Sequence, residues 1–291
     1  MNYYNEIDDK KAAWLRALIT EGVISKGLVD NRPIQDVTSS DLSGFKQCHF
    51  FAGIGAWSYA LRMAGWADDS PVWTVSCPCQ PFSSMGKGKG LNDERHLWPE
   101  FSRICKESNP VVILGEQVAS QAGLDWFDNV SLDLESQNYA AGAIDTCAAS
   151  VGAPHVRQRL YWMAYTKEIR HRWRSEGQGL WKIHGAEGRS GLIQMATQQF
   201  NNNQSHITEP PGLVSGFWGA HDWVLTDCGG AGGPYSLRPV EPGSFPAASG
   251  VTARLLRLCG YGDCIVAPQA TAFIEIVSDI IREVISGKID F

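Results

Sequence analysis

The feature that most constrains this chain is a run of four apolar residues, Val111-Val112-Ile113-Leu114, that stops at Gly115-Glu116. A strand with no polar face must be covered on both sides, which places it in a parallel sheet between helices. The flanking pattern agrees. Cys48-His49-Phe50-Phe51 predicts a short buried strand, and the Gly53-Ile54-Gly55 turn after it leads into a helix over about 57–65. Val72-Trp73-Thr74-Val75 predicts a second strand, running into the turn Cys77-Pro78-Cys79-Gln80-Pro81. Helices over about 97–107 and 124–136, and strands over 139–146 and 160–165, complete an alternation typical of α/β architecture.

The ends and the middle read differently. Residues 1–45 predict an N-terminal helical segment, with Ala12, Ala13, Leu15, Leu18 and Ile19 on one face, then a short Pro-containing connection. From residue 166 to about 235 the periodicity is lost among Asn201-Asn202-Asn203, Pro210-Pro211 and the glycines of 229–233, which predicts an irregular insertion. Helical spacing returns through Phe273, Ile276, Val277, Ile280, Ile281 and Val284. The expected organisation is an N-terminal helical segment (1–45), an α/β domain (46–165), an irregular region (166–250) and a C-terminal return to the α/β domain (251–291).

Composition narrows the classes. No run approaches the ~18 apolar residues of a membrane span, and the start has no apolar stretch like a secretory signal, so a soluble, intracellular protein is expected. The eight cysteines are irregularly spaced, which argues against a disulfide framework or a zinc site. The net charge of −6 does not advertise a polyanion partner. The charge is uneven, however: Arg157, Arg159, Lys167, Arg170, Arg172, Arg174, Lys182 and Arg189 face only Glu168, Glu176 and Glu187 over the same stretch. Such a stretch suits a phosphate-facing surface, and equally a solvated loop balanced by distant acids.

Ligands of open parallel sheets sit beyond the carboxyl ends of the strands. Three chemical groups fall at such ends here: the Gly53/Gly55 turn, Cys79 and Glu116. The string Pro78-Cys79-Gln80-Pro81-Phe82-Ser83 resembles the nucleophile loop of the DNA cytosine-C5 methyltransferases, of a phage type. Phe51-Ala52-Gly53-Ile54-Gly55 is similar to that family's cofactor turn. Glu116-Gln117-Val118 resembles its Glu-Asn-Val, with Gln117 for Asn. Pro154-His155-Val156-Arg157-Gln158-Arg159 resembles Pro-Gln-x-Arg-x-Arg, and Gly262-Asp263-Cys264-Ile265-Val266-Ala267-Pro268 the closing Gly-Asn-Ala-Val-Pro, with one extra residue. The resemblance covers roughly 48–165 and 250–285.

The resemblance implies a Rossmann-like methyltransferase sheet and a role for each group. The Cys79 thiolate adds to C6 of a cytosine flipped out of double-stranded DNA, which makes C5 nucleophilic. A neutral Glu116, kept protonated by desolvation, donates to N3, and Arg159 steadies O2. Arg157 braces the loop or a phosphate. Phe51, Ala52, Gly53, Ile54, Gly55, Pro78, Asp263 and Cys264 would line a site for S-adenosylmethionine. Gln80, Ser83, Lys87, Lys89, Arg170, Arg172 and Arg174 would meet DNA. No metal is implied. Two other readings stay open: a C5 or C4 modification through the same adduct without S-adenosylmethionine (hydroxymethylation or deamination), and a non-catalytic DNA-binding relative.

One departure is large. The family places two further strand–helix units between the glycine turn and the nucleophile, carrying the carboxylate for the ribose hydroxyls and the group that reads adenine. Here Gly55 and Cys79 are 24 residues apart. A strand of ~5–6 residues and a helix of ~11–12 consume that span. The sheet is therefore expected to be reduced by two units, with the 48–51 strand at an open edge. Residues 1–45, or a second copy in a homodimer, would have to cover it. Asp68 and Asp69 are the nearby acids that could replace the ribose clamp.

Overall fold

The computed structural model describes residues 1–78, 97–151, 153, 157–176, 222–226, 236–240 and 264–289. In chain order the elements are β1 (Asn2–Asn5), α1 (Asp9–Thr20), β2 (Gly27–Asp30), β3 (Gln47–Phe50), α2 (Ala56–Met63) and β4 (Val72–Val75). There follow α3 (Trp98–Ser108), β5 (Val112–Val118), α4 (Gln121–Ser136), β6 (Tyr139–Cys147), β7 (Gln158–Thr166), α5 (Ile169–Glu176), β8 (Asp222–Thr226), β9 (Ser236–Val240) and α6 (Ala267–Ser286). The chain divides into two compact units, one of residues 1–146, 158–183 and 264–291, the other of 147–157 and 184–263. In the second unit β8 and β9 pair antiparallel, Asp222 opposite Val240.

The first unit is built on a seven-stranded sheet, ordered β2-β1-β3-β4-β5-β7-β6. Neighbours from β2 to β5 run parallel, and β7 is antiparallel to β5. Both faces are apolar, as a parallel sheet requires. On one face Tyr3, Phe50, Val75 and Ile113 meet Phe101 and Ile104 of α3, with Val130 and Leu134 of α4. On the other, Tyr4 meets Leu15 and Ile24, while Leu114 and Tyr161 meet Leu61 of α2 and Phe273, Ile274 and Val277 of α6.

The α/β Rossmann-like expectation holds, and 56–75 contains one helix and one strand, as the spacing requires. The sheet is not reduced, however. Residues 1–45 contribute two strands besides the expected helix, and β1 pairs with β3 along Tyr3↔Cys48, Tyr4↔His49 and Asn5↔Phe50. The edge that the sequence left open is covered by the chain's own N-terminal segment. The strands went unread because Asn2 and Asn5 are polar yet buried. Their burial is paid for by hydrogen bonds: Asn2 Nδ2 donates to Ser25 Oγ (2.8 Å) and Gln47 Oε1 (3.0 Å), and Asn5 Nδ2 to Arg32 O (2.9 Å).

This order leaves a mark in the topology. From β1 to β2 the chain steps toward the β2 edge with α1 on Tyr4's face. From β2 to β3 it steps back with Ile34, Val37 and Leu42 on Tyr3's face, and from β4 to β5 it moves onward with α3 on that same face. These three crossovers share one hand. From β3 to β4 it also moves onward, but α2 lies on Tyr4's face, where Ser58 Oγ is 3.0 Å from Tyr4 Oη. Parallel crossovers are right-handed in ~98% of cases, which makes β3–α2–β4 the left-handed exception.

Candidate active site

At the carboxyl edge of the parallel strands the chain presents, in order across the sheet, Asp30, Glu6, the Phe51–Gly55 turn, Ser76 and Glu116, with Arg159 at the start of antiparallel β7. The turn is tight. Phe51, Gly53 and Gly55 all have positive φ (52°, 57° and 80°), a conformation unusual for phenylalanine and natural for glycine. Gly55 also has no room for a side chain, since a Cβ there would stand 2.9 Å from Ile24 Cδ1 and 3.0 Å from Leu15 Cδ2. The N-terminal segment is thus packed directly onto the turn.

Glu6, the first residue past β1, reaches the same turn. Its Oε2 accepts the Gly53 amide at 2.7 Å, and its Oε1 accepts the Asp8 amide at 2.9 Å. A carboxylate has about four acceptor sites, so capacity remains for a ligand's hydroxyl donors. The same oxygen stands where a phosphate would need a bare amide, which disfavours a pyrophosphate at this turn. Beside it Ile7 is 63% exposed. Asp30, at the end of β2, is instead engaged by Tyr3 Oη (2.7 Å) and the Arg32 guanidinium (2.7 Å).

The sequence reading missed Glu6 because it searched between Gly55 and Cys79. The available signal was a carboxylate two residues after the aromatic pair Tyr3-Tyr4. The acids proposed in its stead do not serve. Asp68 is held by Arg62 (2.7 Å), and its carbonyl accepts from Asn2 at the amino-terminal start of β1, the opposite end of the sheet from Glu6.

On the other side of the turn, the register sets Glu116 opposite Tyr161 and Val118 opposite Arg159. Arg159 Nε lies 2.7 Å from Glu116 Oε1, with the two side chains 21% and 13% exposed. The antiparallel ladder thus brings together the carboxylate and the guanidinium that the resemblance assigns to one base. The next backbone position is tightly packed: a Cβ on Gly115 would fall 2.0 Å from the Trp162 ring. Gln117, where the family has Asn, is buried, and its Oε1 accepts the Val118 amide at 3.0 Å.

The remaining candidates divide three ways. Pro78 is exposed, Cys264 is half-buried at the start of the segment leading to α6, and the Arg157 carbonyl accepts the Ala148 amide at 3.1 Å. Cys79, Gln80, Ser83, Lys87, Lys89 and Asp263, and the side chain of Arg174, lie outside the described residues. Arg170 donates to the Val284 and Ile289 carbonyls at the end of α6, and Arg172 to the Asn109 carbonyl (2.7 Å) before β5. These contacts lie beyond the opposite end of β5 from Glu116.

Part of the chain is similar in sequence to known proteins. Residues 67–210 match the family model C-5 cytosine-specific DNA methylase. It is 36% identical over 104 residues to the Type II methyltransferase M.SsoII of Shigella sonnei, covering 34% of this chain and 27% of that protein. To the Type II methyltransferase M.HhaI of Haemophilus parahaemolyticus it is 30% identical over 105 residues, covering 35% and 32%. The chain thus spans less than a third of the length of these relatives. Among solved structures it resembles a mutant of Spodoptera frugiperda DNMT2, at a TM-score of 0.37 and 21% identity, over 57% of this chain and 42% of that one.

Proposed function

We propose that this chain methylates C5 of a cytosine flipped out of double-stranded DNA, with S-adenosylmethionine as the donor and a Cys79–C6 adduct as the intermediate. The observation that carries the reading is the Glu6 carboxylate on the Gly53 amide, 2.7 Å away. It supplies, from the N-terminal segment, the ribose-holding acid that the family resemblance requires and the stretch before Cys79 lacks. Ile7 offers an exposed apolar surface beside it for an adenine ring. S-adenosylmethionine, when bound, supplies an electrophilic methyl group.

The chain's own residues do the rest. Thiolate addition to C6 pushes electrons onto C5 and leaves charge at N3 and O2. The Glu116–Arg159 pair stands at the strand end where that charge would develop. On insertion of the base Arg159 turns to O2, while Glu116 takes a proton from solvent and shares it with N3. Once C5 carries the methyl group, water takes the C5 proton, and the electron pair left behind expels the Cys79 thiolate from C6 and restores the ring.

Titration of the full chain with S-adenosylmethionine, and mass spectrometry of cytosines after incubation with DNA, test this. Glu6→Gln is expected to weaken cofactor binding roughly 10- to 100-fold, the scale of hydrogen bonds to a charged group. Cys79→Ser should bind cofactor yet leave cytosine mass unchanged. A chain that binds no S-adenosylmethionine overturns the reading, and product formed without it would redirect the site to hydroxymethylation or deamination.

A further inference from the structure

Trp57 touches three parts of the candidate site that come from separate stretches of chain. It sits in the first turn of α2, two residues after the N-cap Gly55, so it moves with the glycine turn. Its indole Nε1 donates to Ser76 Oγ at 3.0 Å. Its ring meets Tyr161 edge-on, with centroids 5.9 Å apart and planes at 77°. Tyr161 is the residue opposite Glu116, and Phe273 of α6 supports it from 5.3 Å.

Ser76 is the place where such a contact has leverage. The backbone ladder of β4 ends at Val75 on both sides, with Phe50 and Gly115 as its last partners. Ser76 is the first residue beyond that support, and three residues later the chain reaches Cys79. A buried phenylalanine would satisfy the packing against Tyr161, whereas only the indole N–H also reaches the hydroxyl. The group added beyond what packing needs is the one aimed at the strand end leading to the nucleophile.

We propose that Trp57 is a positioning residue that couples ligand binding at the glycine turn to the placement of the Ser76 strand end. The inference rests on the reading given above for the turn and for Cys79. It predicts that binding at the turn alters the reactivity of the thiol three residues after Ser76 in sequence, and that the alteration passes through one hydrogen bond.

The test uses the full chain, its Trp57→Phe and Ser76→Ala variants and the double variant. Iodoacetamide alkylation of Cys79 is followed by peptide mass spectrometry with and without S-adenosylhomocysteine. In the unaltered chain the ligand should change the Cys79 rate. Each single variant should shrink that ligand effect about fivefold, the loss of one neutral hydrogen bond, and the double variant no further. A ligand effect that survives either substitution overturns the proposal, as do two losses that multiply in the double variant. So does a variant that loses only thermal stability, the mark of a purely structural side chain. Failure of S-adenosylhomocysteine to bind the unaltered chain would sink the proposed function instead. The ligand-free rates then decide: an equal shift in both singles and the double supports the placement of Ser76, and unchanged rates refute it.

Discussion

His49 lies buried in β3, with Nδ1 2.8 Å from Thr74 Oγ1, its ring stacked on Tyr4 at 4.8 Å, and Nε2 without a partner. Burial pushes its pKa down from the usual 6.5 to about 3. In the unfolded chain it takes a proton below about pH 6.5, and in the folded one only near pH 3, so the unfolded state binds more protons across that window. Its contribution to stability is complete above pH 6.5 and is lost as pH falls, with a slope of at most ~1.4 kcal/mol per pH unit. Urea unfolding between pH 7.5 and 5 should therefore show a shallower decline in His49→Phe than in the unaltered chain. Parallel slopes would exclude the effect. Little of this was visible in the sequence, where His49 is one polar letter inside an apolar strand. Glu6 was hidden for a related reason: only its distance from Gly53 separates it from a solvated glutamate.

At the scale of elements, periodicity located most helices and strands to within a few residues. The predicted helix over 97–107 is α3 at Trp98–Ser108, and the strand over 139–146 is β6 at Tyr139–Cys147. α1 was also expected, and Asp8 caps it by accepting the Lys10 and Lys11 amides. The strands on either side of it were not. They are four residues each, too short to show a period, and the hydrogen bonds that make β1 a strand belong to β2 and β3. Removing β1–α1–β2 would leave β3 with an unpaired side and strip the Glu6 and Asn5 partners from the Gly53 and Ala52 amides. A chain beginning at Gln47 is expected to aggregate or to lose its cooperative thermal transition. An unchanged melting midpoint would show that the segment is dispensable.

For the molecule as a whole, the left-handed β3–α2–β4 crossover and the early position of residues 1–45 are one fact seen twice. If those residues instead followed α2, the helix would lead to β1 and every crossover would take the same hand. The breakpoints are already neighbours: Lys46 O accepts the Val72 amide at 3.2 Å, and Asp68 O accepts Asn2 Nδ2 at 3.1 Å. A reordered chain running 47–67, then 2–46, then 72–291 through short linkers should form the same seven-stranded sheet. Its melting midpoint is expected within about 5 °C of the original, the shift caused by 1–2 kcal/mol in a domain of this size. Failure of that chain to fold would mean that the present order is required and not merely permitted. The sequence alone determined a mostly parallel α/β sheet, most of its elements and the motifs at its carboxyl edge, because periodicity and turn chemistry are local and survive in one dimension. Which strand lies beside β3, and which acid reaches Gly53, only the tertiary structure decided. Strand adjacency depends on backbone pairing and buried contacts between residues some 45 positions apart, which no local pattern records.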